Sequence, residues 1–329
     1  MSIPTESTPT HTPNWLNWMR LARVSNLPSA LSNILVGFLL VNPSWSPLWV
    51  VACLLLASGC LYSAGMILND YFDVERDKEH SPGRPLPSEV IVPQTAFVVG
   101  LVLIIIGLVC AKLAGDGQAI PKSLQVAAVL TGFIWLYDSV LKRTPLAPLV
   151  MGGCRTLNIL LGASVVISEG SFPTATTFWG FDLPVWWVAL SVGFYVTGIT
   201  TFARREHEQQ SPRVNLIAGF LWMLIGIVGL ATVYLSHDQL SAINRVRFSD
   251  LFPLFIALVS FTIFRSAAMA IMDPQPARVQ AAIVTALRSL IIFDACVVLL
   301  FANGNVFYPL VIAGLIAVSL VLSARIRQT

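Results

Sequence analysis

Apolar residues fall in long, nearly unbroken runs along this chain, and polar residues gather in short segments between them. A run of about 18 or more apolar residues can cross a hydrocarbon core of roughly 30 Å as a helix. In lipid the helix satisfies its own backbone polar groups. Such runs lie at residues 27–41, 48–68, 92–113, 124–141, 146–167, 184–202, 214–235, 251–272, 281–301 and 306–322. They predict an all-α, polytopic membrane bundle of ten transmembrane helices, or nine if the last two runs form one fused or re-entrant element. No Ser/Gly-rich linker, low-complexity tract or soluble domain interrupts them, so residues 27–329 are expected to form one transmembrane domain behind a polar, interfacial segment, residues 1–26.

Composition agrees: of 329 residues 56% are hydrophobic and 11% charged, and the mean hydropathy is +0.76, too few polar residues to cover a water-soluble globule of this size. Lys and Arg accumulate in cytoplasmic loops, which orients the chain. With the N-terminus inside, thirteen bases face the cytoplasm and only Lys112, Lys122, Arg245 and Arg247 face outward. Arg155, Arg265 and Arg288 lie within spans. The expected location is an inner or plasma membrane, with the N-terminus and the polar loops that end the second, fourth and sixth spans in the cytoplasm.

The first 26 residues lack the charged and apolar regions of a cleavable signal peptide. Trp15 and Trp18 beside Arg20 and Arg23 read instead as an interfacial anchor, rings at the headgroups and bases toward anionic lipid. Cys53, Cys60, Cys110, Cys154 and Cys296 all fall in apolar runs, as small buried hydrophobes with no disulfide framework and no zinc motif. The net charge of +3 is this same inside-positive bias and gives no footprint for nucleic acid.

Candidate chemistry begins in LNDYFDVERDKEH, residues 68–80, directly after the second run. Asn69, Asp73 and Asp77 repeat every four residues, so on a helix they drift only about 40° per step and share one stripe, with Asp70 beside them. Oxygen-only donors suit a hard cation such as Mg²⁺, whose shell is usually completed by water and substrate phosphates. The alternative is a solvated loop whose acids pair with Arg76 and Lys78. Pro82, Pro85 and Pro87 then prevent a continuing helix, and Arg84 and Lys78 are placed to meet phosphate oxygens. Acids for Mg²⁺ beside bases for phosphate argue for a diphosphate substrate.

Three further groups stand out. In WLYDSVLKR, Asp138 and Lys142 are an i, i+4 pair beside Tyr137; the segment reads equally as a basic, aromatic flank of the fourth span. Within the fifth run Arg155 either faces an interior cavity or snorkels to the surface, and Asn158, about one turn on, orients either an acceptor or a neighbouring helix. Arg288 and Asp294 are too far apart around one helix to pair tightly, and are read as bonds to other helices.

The NDYFDVERD motif, the RPLP that follows it and YDSVLKR together resemble the UbiA superfamily of intramembrane prenyltransferases, closest in appearance to its EboC-type branch through YVTGITTFARREHE and GGCRTLNILLGAS. The resemblance implies about nine helices around a laterally open cavity, with two acidic motifs holding Mg²⁺ over an isoprenyl diphosphate. Carried onto this chain, it makes Asn69, Asp70, Asp73 and Asp77 the metal residues, with Asp73, Asp77 and Lys142 catalytic. Arg84, Tyr137, Arg155, Asn158, Arg204 and Glu208 would bind substrate. The sequence departs at the second motif, where Thr201, Arg204 and Glu208 fall at the expected acidic positions and Glu206 is a substitute carboxylate.

The implied activity is Mg²⁺-dependent transfer of a prenyl group, within the membrane, from an isoprenyl diphosphate to a small lipophilic or aromatic acceptor or another electron-rich one. Phe72, Tyr137 and Phe202 are the aromatic faces nearest the motifs that can stabilise an allylic cation. Two other readings stand beside it: a non-catalytic protein that binds or carries a prenylated lipid, and a secondary transporter. A transporter is expected to place ionisable residues near the bilayer midplane, whereas these acids lie at its edge.

Overall fold

Every one of the ten predicted runs is a helix in the computed structural model, which describes residues 14–167, 177–204, 213–238, 251–301 and 305–327. The helices are α1 (Asn14–Leu21), α2 (Leu27–Val41), α3 (Leu48–Phe72), α4 (Val74–His80), α5 (Pro93–Ala114) and α6 (Lys122–Ser139). After them come α7 (Ala147–Gly162), α8 (Leu183–Phe202), α9 (Arg213–Asp238), α10 (Phe252–Met272), α11 (Pro276–Phe301) and α12 (Phe307–Arg327). Single 3₁₀ turns, Val24–Asn26 and Leu141–Arg143, lead into α2 and out of α6. A two-residue antiparallel hairpin, Thr177–Phe178 with Phe181–Asp182, precedes α8.

Eight helices are long and apolar enough to cross a membrane. Among the ten helices that match the apolar runs the exceptions are α6, 18 residues carrying Lys122, Gln125 and Asp138, and α7, which has 16 residues and stops well short of its run's predicted end at residue 167. The reason lies in Asn42. Its buried amide accepts the Ile167 N–H and donates to the Val165 carbonyl, both at 2.8 Å, and so takes the backbone that would have continued the helix.

Burial sets the layers. Thirteen of the fifteen residues of α2 are buried, which makes it the central helix. In α5 the buried positions are the small or slim Ala96, Gly100, Ile104, Gly107, Ala111 and Ala114 at three- and four-residue spacing, while Val98, Val102, Ile105, Val109 and Leu113 are exposed. A soluble protein would hide that second set. Here it is the face offered to lipid, and small residues line the contact with α3, as expected where helix association rests on close packing. α2 and α7 approach closely: a β-carbon added at Gly37 would lie 2.1 Å from the Ile159 carbonyl oxygen, and one at Gly162 2.3 Å from that of Ile34.

Polar residues inside the bundle hold helices together. Asp294 on α11 accepts hydrogen bonds from Ser32 and, at 2.8 Å, from Asn33 on α2. Arg155 on α7 reaches the same helix, donating to Asn33 at 3.2 Å and Ser29 at 3.1 Å over the ring of Tyr62. Asn158 donates to the Ala30 carbonyl and accepts from Ser58, both at 2.8 Å, tying α2, α3 and α7 together. Arg155 therefore faces inward, and Asp294 bonds across helices as expected. Arg265 is exposed on α10.

The five cysteines are free; Cys296 is buried and the other four are half-buried. In α1, Trp15 is exposed, whereas Trp18 packs into a small apolar cluster with Leu21, Leu86 and Ile91.

Candidate functional site

The predicted stripe of Asn69, Asp73 and Asp77 is not one continuous helix. α3 ends at Phe72, Asp73 is the junction with φ −96° and ψ 0°, and α4 begins at Val74. Alignment survives because the four-residue hydrogen bonds continue through the break: Asp73 N–H donates to the Asn69 carbonyl at 3.2 Å and Asp77 N–H to the Asp73 carbonyl at 2.8 Å. Asn69, Asp70, Asp73 and Asp77 are all at most 8% exposed.

Each carboxylate is met by a base from another part of the chain. Arg23 donates to Asp70 at 3.1 Å, Arg84 to Asp77 at 2.6 Å, and Lys142 to Asp73. Asn69 donates to Asp70 at 3.3 Å. The bases Arg76 and Lys78, which a solvated loop would use, do not pair with these acids. Lys78 bonds to Glu75 at 2.9 Å on the exposed side of α4, and that hydrogen bond holds the ammonium's pKa above its ordinary value. Asp138 does not pair with Lys142 as its spacing suggested. Lys142 sits beyond the end of α6 in the 3₁₀ turn and has turned to Asp73, which leaves one buried oxygen of Asp138 with no hydrogen bond among the described residues.

Asn69, Asp73 and Asp77, with Arg23, Arg84 and Lys142, border a cavity of about 870 Å³ at the end of the bundle where α3, α6 and α8 finish; Asp70 and Asp138 do not line it. Arg23, Arg76, Arg84, Lys142, Arg143 and Arg204 line it, against the carboxylates of Asp73 and Asp77. So many cations around two acids make a site for an anion, and the guanidinium fork matches phosphate oxygens. On the bundle side its lining includes Met66 of α3 and Met151 of α7.

Among the described residues, no three His, Cys, Asp or Glu side chains converge tightly enough to hold a metal ion as they stand. The donor set still fits Mg²⁺. It is oxygen only, and Asp73 and Asp77 each keep one carboxylate oxygen that makes no hydrogen bond among the described residues.

Of the other predicted substrate residues, Tyr137 lines the cavity, as does Arg204, which also donates to the Thr144 carbonyl at 3.3 Å. Arg155 and Asn158 do not line it, because their polar atoms are taken up by the α2 and α3 contacts described above. Thr201 returns its hydroxyl to the Thr197 carbonyl of its own helix. Arg205, Glu206 and Glu208 lie outside the described residues. Phe202 is buried beneath α9 and Phe72 stacks edge-on against Trp135, so of the three proposed aromatic faces only Tyr137 borders the cavity.

Sequence reasoning missed Arg23 and underused Arg143. Arg143 had a signal, since it adjoins Lys142; Arg23 had none, because 47 residues separate it from Asp70.

The many-helix apolar bundle and its acid-and-base rim define a multi-pass membrane protein with a polar cavity at one end. Residues 30–264 match the UbiA prenyltransferase family, and the chain belongs to that family. It is 30% identical over 168 residues to a digeranylgeranylglyceryl phosphate synthase of Methanospirillum hungatei, covering 49% of this chain and 56% of the relative. A protoheme IX farnesyltransferase of Salinispora tropica is 30% identical over 133 residues, 40% of this chain and 41% of that one. The chain thus spans about half the length of the curated relatives it matches. Among solved structures, a UbiA homologue from Archaeoglobus fulgidus bound to DMAPP and Mg²⁺ superposes with a TM-score of 0.58 over 91% of this chain and 99% of that one, at 14% identity. That likeness is one of fold.

Proposed function

We propose that the protein is a Mg²⁺-dependent prenyltransferase that moves a prenyl group from an isoprenyl diphosphate to a small lipophilic or aromatic acceptor within the membrane. The observation that carries this reading is the rim cavity: six bases, two buried carboxylates and an apolar inner wall in a chain of the UbiA family. Relatives that act on such different acceptors as a glyceryl phosphate and a heme support the donor half of the reaction more narrowly than the acceptor half.

Asn69, Asp70, Asp73 and Asp77 would hold the metal, and bound Mg²⁺ supplies charge neutralisation to the diphosphate. The chain's own residues do the rest. Arg84 and Lys142 are held by Asp77 and Asp73. When a diphosphate enters, these bases exchange a carboxylate for phosphate oxygens, which would leave Asp73 and Asp77 available to hold the metal. The allylic C–O bond breaks with its electron pair leaving on the diphosphate, where Arg84, Lys142 and Arg204 stabilise the charge. The acceptor's electron pair forms the new bond to the prenyl carbon, and the acceptor then gives up a proton. Tyr137 presents its ring to the cationic carbon. The apolar wall keeps out water that would quench it.

The inside-positive distribution of bases supports a cytoplasmic rim and N-terminus, with residues 27–329 acting as one membrane domain. Thr201 and Arg204 at positions expected to be acidic favour a second reading, a binder or carrier of a prenylated lipid that does not turn over, while the segments YVTGITTFARREHE and GGCRTLNILLGAS are the ground for placing the chain near the EboC-type branch. Purified full-length protein is incubated with labelled isoprenyl diphosphates, Mg²⁺ and a panel of acceptors. Release of diphosphate with an alkylated product in the mass spectrum supports the enzyme; saturable binding with no release from any pairing leaves the carrier.

A further inference from the structure

Arg23 lines the rim cavity, and two residues further on Ser25 and Asn26 line a different one. This second cavity measures about 240 Å³ and is completed by α2, α11 and α12. Its polar lining is Ser25, Asn26, Ser29, Arg288, Ser319 and Ser323, and among the described residues no carboxylate lines it. The rest of its wall is apolar, chiefly Val284, Leu287 and Ile291 of α11.

The donors here outnumber their acceptors. Ser29 gives its proton to the Asn26 carbonyl and Ser319 gives its proton to the Ser25 carbonyl, each at 2.8 Å. The side chains of Ser25, Asn26, Ser323 and Arg288 make no hydrogen bond or ion pair among the described residues. Arg288 lies twelve residues into an apolar helix, where an uncompensated charge is costly. The acid in its own helix does not relieve it: Asp294 is committed to Ser32 and Asn33.

We propose that this cavity binds the oxyanion of a phosphate group, with Arg288 as counter-charge and Ser25, Asn26 and Ser323 as hydrogen-bond donors. A guanidinium fork meets two phosphate oxygens at once and the neutral donors serve the rest. The volume suits a headgroup: it equals about eight water molecules at roughly 30 Å³ each. The phosphate can come from a membrane lipid or from a soluble phosphate, and the same donors serve both. The inference does not depend on the rim being catalytic.

Full-length protein is placed in phosphatidylcholine nanodiscs and titrated with inorganic phosphate, and in a second arm is placed in nanodiscs containing phosphatidylglycerol, whose retention is read by native mass spectrometry. The signal assigned to this cavity is the part that Arg288→Gln removes and Lys142→Ala, a change at the rim, does not. Arg288→Gln is expected to weaken that binding by about tenfold or more, with isoprenyl diphosphate binding at the rim unchanged. A loss confined to the lipid arm identifies a lipid headgroup; a loss confined to the phosphate arm identifies a soluble phosphate. Unchanged binding in both arms overturns the proposal. Should Arg288→Gln not fold, the double variant Asn26→Ala with Ser323→Ala carries the same decision.

Discussion

At the scale of single residues, the rim and the interior use the same chemistry for opposite ends. Asp73 and Lys142 are joined across 69 residues of chain and border a cavity, so their charges can be redirected to a ligand. Asn158 is buried, bonded to Ala30 and Ser58, and does not line that cavity, so its amide serves the contact between helices. Two substitutions separate these roles. Lys142→Ala is expected to leave folding nearly intact and weaken isoprenyl diphosphate binding by about tenfold or more, the worth of a charged hydrogen bond, measured by titration calorimetry. Asn158→Ala is expected to do the reverse. It leaves the Ala30 carbonyl and the Ser58 hydroxyl without their partner and lowers stability by about 1–3 kcal/mol, read as a lower melting temperature, while the folded fraction binds diphosphate normally. Weakened binding without a loss of stability would return Asn158 to the pocket.

At the scale of helices, close packing of α2 on α7 positions the interior network and, through Arg23 just ahead of α2, one base of the rim. Gly37 has no room for a side chain, whereas Gly132 on α6 has nothing within 4 Å of an added β-carbon. Gly37→Ala is therefore expected to destabilise by about 1–3 kcal/mol through overpacking. Gly132→Ala is expected to be neutral or to stabilise by up to about 1 kcal/mol, since alanine favours the helix. Thermal unfolding of both variants in the same detergent checks the contrast, and equal effects would contradict the packing described.

At the scale of the whole molecule, the bundle was legible because lipid enforces it: all ten apolar runs became helices. What was not legible follows from causes that lie outside any local run. The shortening of α7 depends on Asn42, more than a hundred residues away, capturing the backbone at Val165 and Ile167. The stripe of Asn69, Asp73 and Asp77 was readable from its spacing, but the break at Asp73 was not, because the hydrogen bonds that preserve the spacing also hide the break. Asp138 and Lys142 had the right separation for a pair on one helix, and the pair failed because α6 ends between them. Arg23 was invisible for the same kind of reason. It reads as a base beside a tryptophan, and only the folded chain puts it on Asp70.

The central claim is that the rim formed by α3, α4, α6 and α8 is a Mg²⁺-dependent diphosphate site. Calorimetric titration of the full-length protein with an isoprenyl diphosphate tests it most directly, run with Mg²⁺, with a chelator, and on Asp73→Ala and Glu208→Ala. The expected result is saturable binding that requires Mg²⁺, disappears in Asp73→Ala and weakens less in Glu208→Ala. Binding of unaltered affinity in Asp73→Ala, or in the presence of the chelator, would contradict it.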